Sequence, residues 1–236
     1  RIEGYRNFAN KLWNASRYAL MRLSASSTKA SQQCPQPKAL ANRWVLSRLY
    51  QALDVASAGL DAYRLDEASG ALYHFVWGEL CDWFLEVNKP ALDSGDAALV
   101  QETEATLVHA LETVLRALHP MMPHITEEIW QRIAPLAGAK GETLMLQPYP
   151  ADDDYSADAA AEADMEWVMG LIMGVRKTRP GLNIAPSKAL PVTLQGTSEQ
   201  DRPRVDANPH LLPPPARLLR ILAPDVSLLG RLSLWL

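Results

Sequence analysis

Apolar residues recur every three or four positions through most of the first 140 residues. That is the spacing of one helix face, not the alternation of a strand. Over residues 2–23 the stripe is Tyr5, Phe8, Ala9, Leu12, Ala19 and Leu23. The Ser/Thr/Gln/Pro stretch from Ser24 to Pro37 predicts a loop. Val45, Leu49, Leu53, Ala56 and Leu60 then mark a second helix over about 40–60. A third begins near Asp66. Its apolar positions Leu72, Phe75, Val76, Leu80, Trp83, Phe84 and Val87 nearly encircle it, which predicts a central helix stopped by Pro90. Asp93-Ser-Gly-Asp96 predicts a turn into a fourth helix, closed by Pro120. Pro123 suits the first turn of a fifth, with Glu127 and Glu128, just after Thr126, expected to place acids near its positive end.

After Gly138 the pattern changes. Thr143-Leu-Met-Leu-Gln-Pro-Tyr-Pro predicts a short extended piece, and Asp152-Asp-Asp-Tyr-Ser leads into a sixth helix over about 157–178. Nine of the seventeen prolines fall from Pro180 onward. Val192-Thr-Leu-Gln and Arg220-Ile-Leu there predict short strands flanking a poor helix interrupted by Pro203, Pro209 and Pro213 to Pro215. The expected organisation is a helical bundle over 1–138, an extended piece plus the sixth helix packed on it over 139–180, and a truncated α+β appendage over 181–236. The fold class is mainly α.

Charge separates the chain further. Residues 1–50 carry nine bases and one acid, residues 51–170 five bases and twenty-two acids, and residues 171–236 nine bases and four acids. The overall net charge of −4 therefore conceals a basic start that could meet a polyanion. No apolar run is long enough for a transmembrane helix. The chain starts Arg1-Ile-Glu-Gly with helical pattern almost at once, and is read as a fragment of a longer protein. Cys34 and Cys81 are far apart, without metal spacing, and are expected as reduced thiols.

Catalytic chemistry finds no constellation to rest on. His119 and His124 flank two prolines without further metal ligands, and Asp152–Asp154 lacks the alternating spacing of a calcium loop. Trp44 is more informative. It falls well over 100° from the centre of its helix's apolar stripe, beside Arg43, Ser47, Arg48 and Gln51. Two readings stay open: a ring that stacks a splayed RNA base among guanidiniums, or a ring packed against another helix. The first helix sets Asn7, Lys11, Asn14, Tyr18 and Arg22 opposite its stripe, with Arg6, Asn10 and Arg17 alongside. That face is either RNA-reading or simply solvated. Arg176-Lys177-Thr178-Arg179 closes the sixth helix, where a plain dipole complement is as good a reading as RNA contact. Trp77, Trp83, Trp130 and Trp167 are expected in the core.

Five segments carry a resemblance: Lys11-Leu-Trp-Asn-Ala-Ser-Arg17, Ala41-Asn-Arg-Trp44, Leu80-Cys-Asp-Trp-Phe-Leu-Glu-Val-Asn-Lys-Pro90, Leu118-His-Pro-Met-Met-Pro-His-Ile-Thr-Glu-Glu-Ile-Trp130 and Asn183-Ile-Ala-Pro186. Together they resemble the anticodon-binding domain of class I aminoacyl-tRNA synthetases over residues 1–195. Cys-Asp-Trp-Phe-Leu-Glu followed by Lys-Pro resembles the valyl branch; isoleucyl and leucyl relatives share the bundle without it. Asn42 stands where the family pattern has an acid, and the likeness thins from Pro203. The family's His-Ile-Gly-His and Lys-Met-Ser-Lys-Ser motifs are absent.

The resemblance implies an anticodon-binding helical bundle with a small C-terminal α+β appendage. Its function would be to hold the anticodon loop of valine tRNA for a ligase that esterifies valine to tRNA. ATP and magnesium would serve that larger enzyme and no cofactor this chain. Trp44 would stack a base, with Arg48, Arg43, Arg17, Arg22 and Asn14 as polar readers and no catalytic or metal residues. The setting implied is a cytoplasmic monomer binding neither DNA nor membrane. The alternatives are a protein-interaction module without RNA binding, or the same domain from an isoleucyl or leucyl relative.

Overall fold

The computed structural model describes residues 2–23, 34–150, 156–181, 192–194, 201–211 and 219–221. It divides into two compact units, Arg1–Ala161 and Glu162–Leu236. Residues 24–33 of the predicted loop, the Asp152–Asp154 run, Asn183–Pro186 and Pro213–Pro215 lie outside the described residues.

The first unit is helical. Helix α1 spans Ile2–Leu23 and α2 spans Leu40–Asp61. Helix α3, Leu65–His74, passes without a break into a π-helix, Phe75–Phe84, and a last turn, α4, Leu85–Val87. A four-residue helix α5, Lys89–Leu92, precedes α6, Ala97–Leu118, and α7, Pro123–Ala137. Helix α2 packs on α3, α6 and the π-helix, α6 packs on α7, and α1 packs on α7, the π-helix and α6.

Local chemistry sets these boundaries. The Asp96 carboxylate accepts the N–H groups of Ala98 and Leu99 at 3.0 and 3.2 Å, capping α6. Pro123 opens α7, and Gly138 ends it at φ 69°, a left-handed value that glycine adopts without strain. Between them, the Thr126 hydroxyl donates to the Met122 carbonyl at 2.8 Å and lies 2.8 Å from His119 Nδ1, which closes the Pro-rich junction. A Cβ at Gly59 would lie 3.0 Å from the Ala68 nitrogen, so α2 and α3 meet almost backbone to backbone.

Three predicted elements differ in form. The third helix is continuous, but its middle ten residues are π-helical, a rare form in runs this long. Buried positions there repeat every fifth residue: Phe75, Leu80 and Leu85 in one row, Val76 and Cys81 in another. A turn wider than 3.6 residues is what brings such rows to one side. Pro90 does not simply stop this helix. The chain breaks at Asn88, whose amide donates to the Phe84 carbonyl at 3.1 Å, and Pro90 sits in the first turn of α5, where no N–H is needed. The stretch expected to be extended is a 3-10 turn at Leu144–Leu146, with Thr143 and Gln147 extended on either side.

The core holds Leu12, Leu49, Leu53, Leu72, Phe75, Leu80, Phe84, Leu107, Leu111, Leu115, Trp130 and Ile133. Trp130 carries one polar atom inward and satisfies it: the indole N–H donates to Glu112 at 3.1 Å, while Arg116 holds the same carboxylate at 3.0 Å.

In the second unit, the chain runs along helix α8, Ala159–Gly181, whose first three residues belong to the first unit. Strands β1, Val192–Leu194, and β2, Leu219–Ile221, pair in parallel with Val192 opposite Leu219 and Leu194 opposite Ile221. Parallel strands need a crossover, and α9, Asp201–Ala207, with a 3-10 turn at Pro209–Leu211, lies within it. Arg204 donates to Asp164 of α8 at 2.7 Å and reaches Asp201 at 3.4 Å.

Candidate nucleic-acid interface

Helix α1 buries Phe8, Leu12, Ala15, Ser16, Ala19 and Leu23. Asn7, Asn10, Asn14 and Arg17 on its other side are exposed, and among the described residues Arg17 forms no ion pair. Lys11 and Arg22 stand at the edge between the two sides and are tied down. Lys11 Nζ lies 2.6 Å from Asp82 and 3.9 Å from the centre of the Trp77 ring. Arg22 lies 2.7 Å from Asp93 and 5.5 Å from the Tyr18 ring, and the hydrogen bond to Asp93 leads the causes that raise its pKa.

Helix α2 is different. Arg43 donates from Nε to Asp158 at 2.8 Å, and Arg48 donates from Nε to Glu79 at 2.9 Å and also to Gln51. Asp158 is itself fixed: it accepts the N–H of Ala161 at 2.9 Å, and its own N–H donates to the Ser47 hydroxyl at 2.8 Å. Backbone hydrogen bonding by Ala161 first, and Arg43 after it, hold the Asp158 carboxyl below the usual aspartate range despite partial burial. Arg43 and Ser47 line a polar cleft with Cys34, Gln36, Ser156 and Asp158. The six expected site residues are divided between two helices. Asn14, Arg17 and Arg22 belong to α1, while Arg43, Trp44 and Arg48 belong to α2, and the π-helix packs on both helices.

Trp44 requires a correction. Only 3% of it is exposed, so it offers no open ring face for a base. Leu40 and Ser47, on the same side of α2, are buried too, because neighbours close on this helix from more than one direction. Trp77 departs in the opposite sense. Expected in the core, it is half-buried and stacked on Tyr73, with ring centres 5.7 Å apart and planes at 19°. Trp83 and Trp167 are half-buried as well. The π-helical turn accounts for Trp77 and Trp83, since it rotates positions away from a 3.6-residue projection.

Asn42, where the resemblance expects an acid, is buried and donates to Glu102 at 3.0 Å and Thr103 at 3.1 Å. An amide here satisfies what an acid could not donate to. Glu127 lies beyond the first turn of α7, so it does not complement the helix end as expected but tethers the segment that follows the helix. Burial raises its pKa, but hydrogen bonds from Gln131, Thr143 and the Leu144 N–H outweigh it, and the carboxyl ends below its ordinary value. Burial pushes the Cys81 thiol up to about 12, against a partial pull from Lys11. Among the described residues no group of three or more His, Cys, Asp or Glu gathers as a metal site, and no helix is long and apolar enough to cross a membrane.

Residues 42–194 match the family described as the anticodon-binding domain of tRNA ligase. The chain is 48% identical over 207 residues to valine–tRNA ligases of Stenotrophomonas maltophilia, strains K279a and R551-3. That match covers 87% of this chain and 22% of each relative, so the chain spans about a fifth of their length. A LeuRS–tRNA–LeuAMS complex from Agrobacterium radiobacter K84 shares 15% identity over 86% of this chain and 21% of that one, with a TM-score of 0.44, too loose a likeness to argue from. By the family match, the chain belongs to the anticodon-binding domains of tRNA ligases.

Proposed function

We propose that this chain holds the anticodon loop of valine tRNA on behalf of a valine–tRNA ligase. The observation that carries the reading is the anticodon-binding domain match over residues 42–194. The names of the 48%-identical relatives support valine as the amino acid. On the chain itself, the exposed side of α1 is the contact surface best suited to RNA. Its asparagines can donate to and accept from base edges, and Arg17 stands ready for phosphate. Arg22, Arg43 and Arg48 are secondary contacts, reached only by exchanging a carboxylate for a phosphate. Trp44 supports α2 from within.

In this reading valine activation with ATP and magnesium, and esterification to tRNA, belong to the part of the longer relatives that this chain does not span. The chain works in the cytoplasm as a monomeric unit, with neither DNA nor membrane as a partner. Titration with valine tRNA, the same tRNA with its anticodon replaced, and an unrelated tRNA tests the proposal. Tighter binding of the first than of the other two is expected. Equal binding of all three, or of none, would overturn it.

A further inference from the structure

Two ion pairs join α1 to the segment running from the π-helix to the turn after α5: Lys11 with Asp82 at 2.6 Å, and Arg22 with Asp93 at 2.7 Å. Both span 71 residues of sequence. Lys11 and Arg22 are eleven residues apart, and so are Asp82 and Asp93, so the two segments run side by side in the same direction. The rungs sit about 16 Å apart along α1, on nearly the same line of the helix. Lys89, paired with Glu86 at 2.6 Å, lies 5.9 Å from the Tyr18 ring, between the rungs in α1 sequence. An alternating line of charge therefore borders the exposed α1 side that carries Asn14 and Arg17.

Asp82 and Asp93 have no other side-chain hydrogen bond among the described residues, and they are more exposed than the cations they hold, at 52% and 60% against 22% and 36%. Pairs this exposed add little to stability. Asp158, by contrast, binds backbone as well as Arg43. A structural role thus explains Asp158 and leaves Asp82 and Asp93 unexplained.

We propose that Asp82 and Asp93 are selectivity residues, which hold Lys11 and Arg22 against carboxylate so that RNA at large cannot recruit them. A phosphate must displace a carboxylate to gain either cation. Only an RNA that also satisfies the exposed α1 side makes that exchange favourable. An RNA that makes no such contacts meets a neutralised edge. Discrimination then comes from a built-in competitor as well as from matched contacts. This inference rests on the RNA-binding reading above.

The test uses the full chain with Asp82→Asn, Asp93→Asn and both together, titrated with valine tRNA and an unrelated tRNA over a salt series. The double variant should bind the unrelated tRNA roughly tenfold tighter and valine tRNA only slightly tighter. Its log-affinity against log-salt slope for the unrelated tRNA should steepen by about 0.7 for each released cation. Adding Lys11→Met and Arg22→Met should return the unrelated tRNA to its wild-type affinity, with unchanged thermal unfolding showing that the fold is kept. Selective wild-type binding with unchanged affinity and slope in the variants would sink this inference and leave the function standing. If the wild type binds neither tRNA and the variants bind both alike, the competitor role stands and the valine reading falls. No binding by any protein overturns both.

Discussion

Helices α1 and α2 have the same length, 22 residues, and each sets arginines away from an apolar stripe, but only α1 keeps that side in solvent. Asn7, Asn10, Asn14 and Arg17 of α1 are exposed. The corresponding side of α2 buries Leu40, Trp44 and Ser47, and its arginines are drawn to Asp158 and Glu79. The difference lies in the neighbours. Both helices pack on three elements, but α1 does so through one face and is marginal on the other. The second side of α2 is also met by Asp158 and Glu79, which bind its arginines and Ser47. An arginine beside a tryptophan marks an RNA surface only if the helix is marginal.

Trp44→Ala is the strongest attempt to break this contrast. Truncating a buried tryptophan should cost about 3–5 kcal/mol of stability, through lost burial and the cavity left behind. Denaturant unfolding would read the loss directly. A variant as stable as the parent but weaker for RNA would return Trp44 to the surface and make α2 the reader.

The elements of the bundle were legible because they depend on local signals: helical spacing in α1 and α2, Pro123 at the start of α7, Asp96 ahead of α6. The family was legible in short motifs such as Cys81-Asp-Trp-Phe-Leu-Glu86. What escaped depends on neighbours. Trp44 looked free because a projection of α2 alone contains none of the elements that pack against it. Trp77 looked buried because a 3.6-residue projection assumes the turn that the π-helix replaces. The carboxylates Glu79, Asp82, Asp93 and Asp158 carried no signal at all, since each meets its cation across at least 31 residues of sequence. The partner of a charge is a tertiary fact.

Arg17→Gln, alone and with Asn14→Ala, sharpens the other half of the comparison. Both side chains are exposed, so stability should change by no more than about 0.5 kcal/mol. Affinity for valine tRNA should nevertheless fall several-fold. For Arg17→Gln the salt slope should also flatten by about 0.7–0.9, the signature of one lost phosphate contact. Unchanged affinity and slope would show that the open side of α1 is only solvated.

The smallest effect concerns how α2 is tethered. The Asp158 carboxyl sits below its ordinary pKa in the folded chain, through the Ala161 N–H and Arg43. A depressed carboxylate favours the folded state above its unfolded pKa, and that contribution is lost as pH falls through the folded value. The stability gap between the parent and Asp158→Asn should therefore be open at neutral pH and close below the usual aspartate range. Asparagine still caps a helix well, so the gap should be modest, about 1 kcal/mol or less, and should reflect chiefly the lost charge on Arg43. Asp82→Asn gives the contrast on α1: its pair is exposed and makes no backbone bond, so it should cost less stability at neutral pH than Asp158→Asn. If Asp82→Asn proved the more destabilising of the two, the α1 pairs would be the structural ones, and α2 rather than α1 would have cations to spare for RNA.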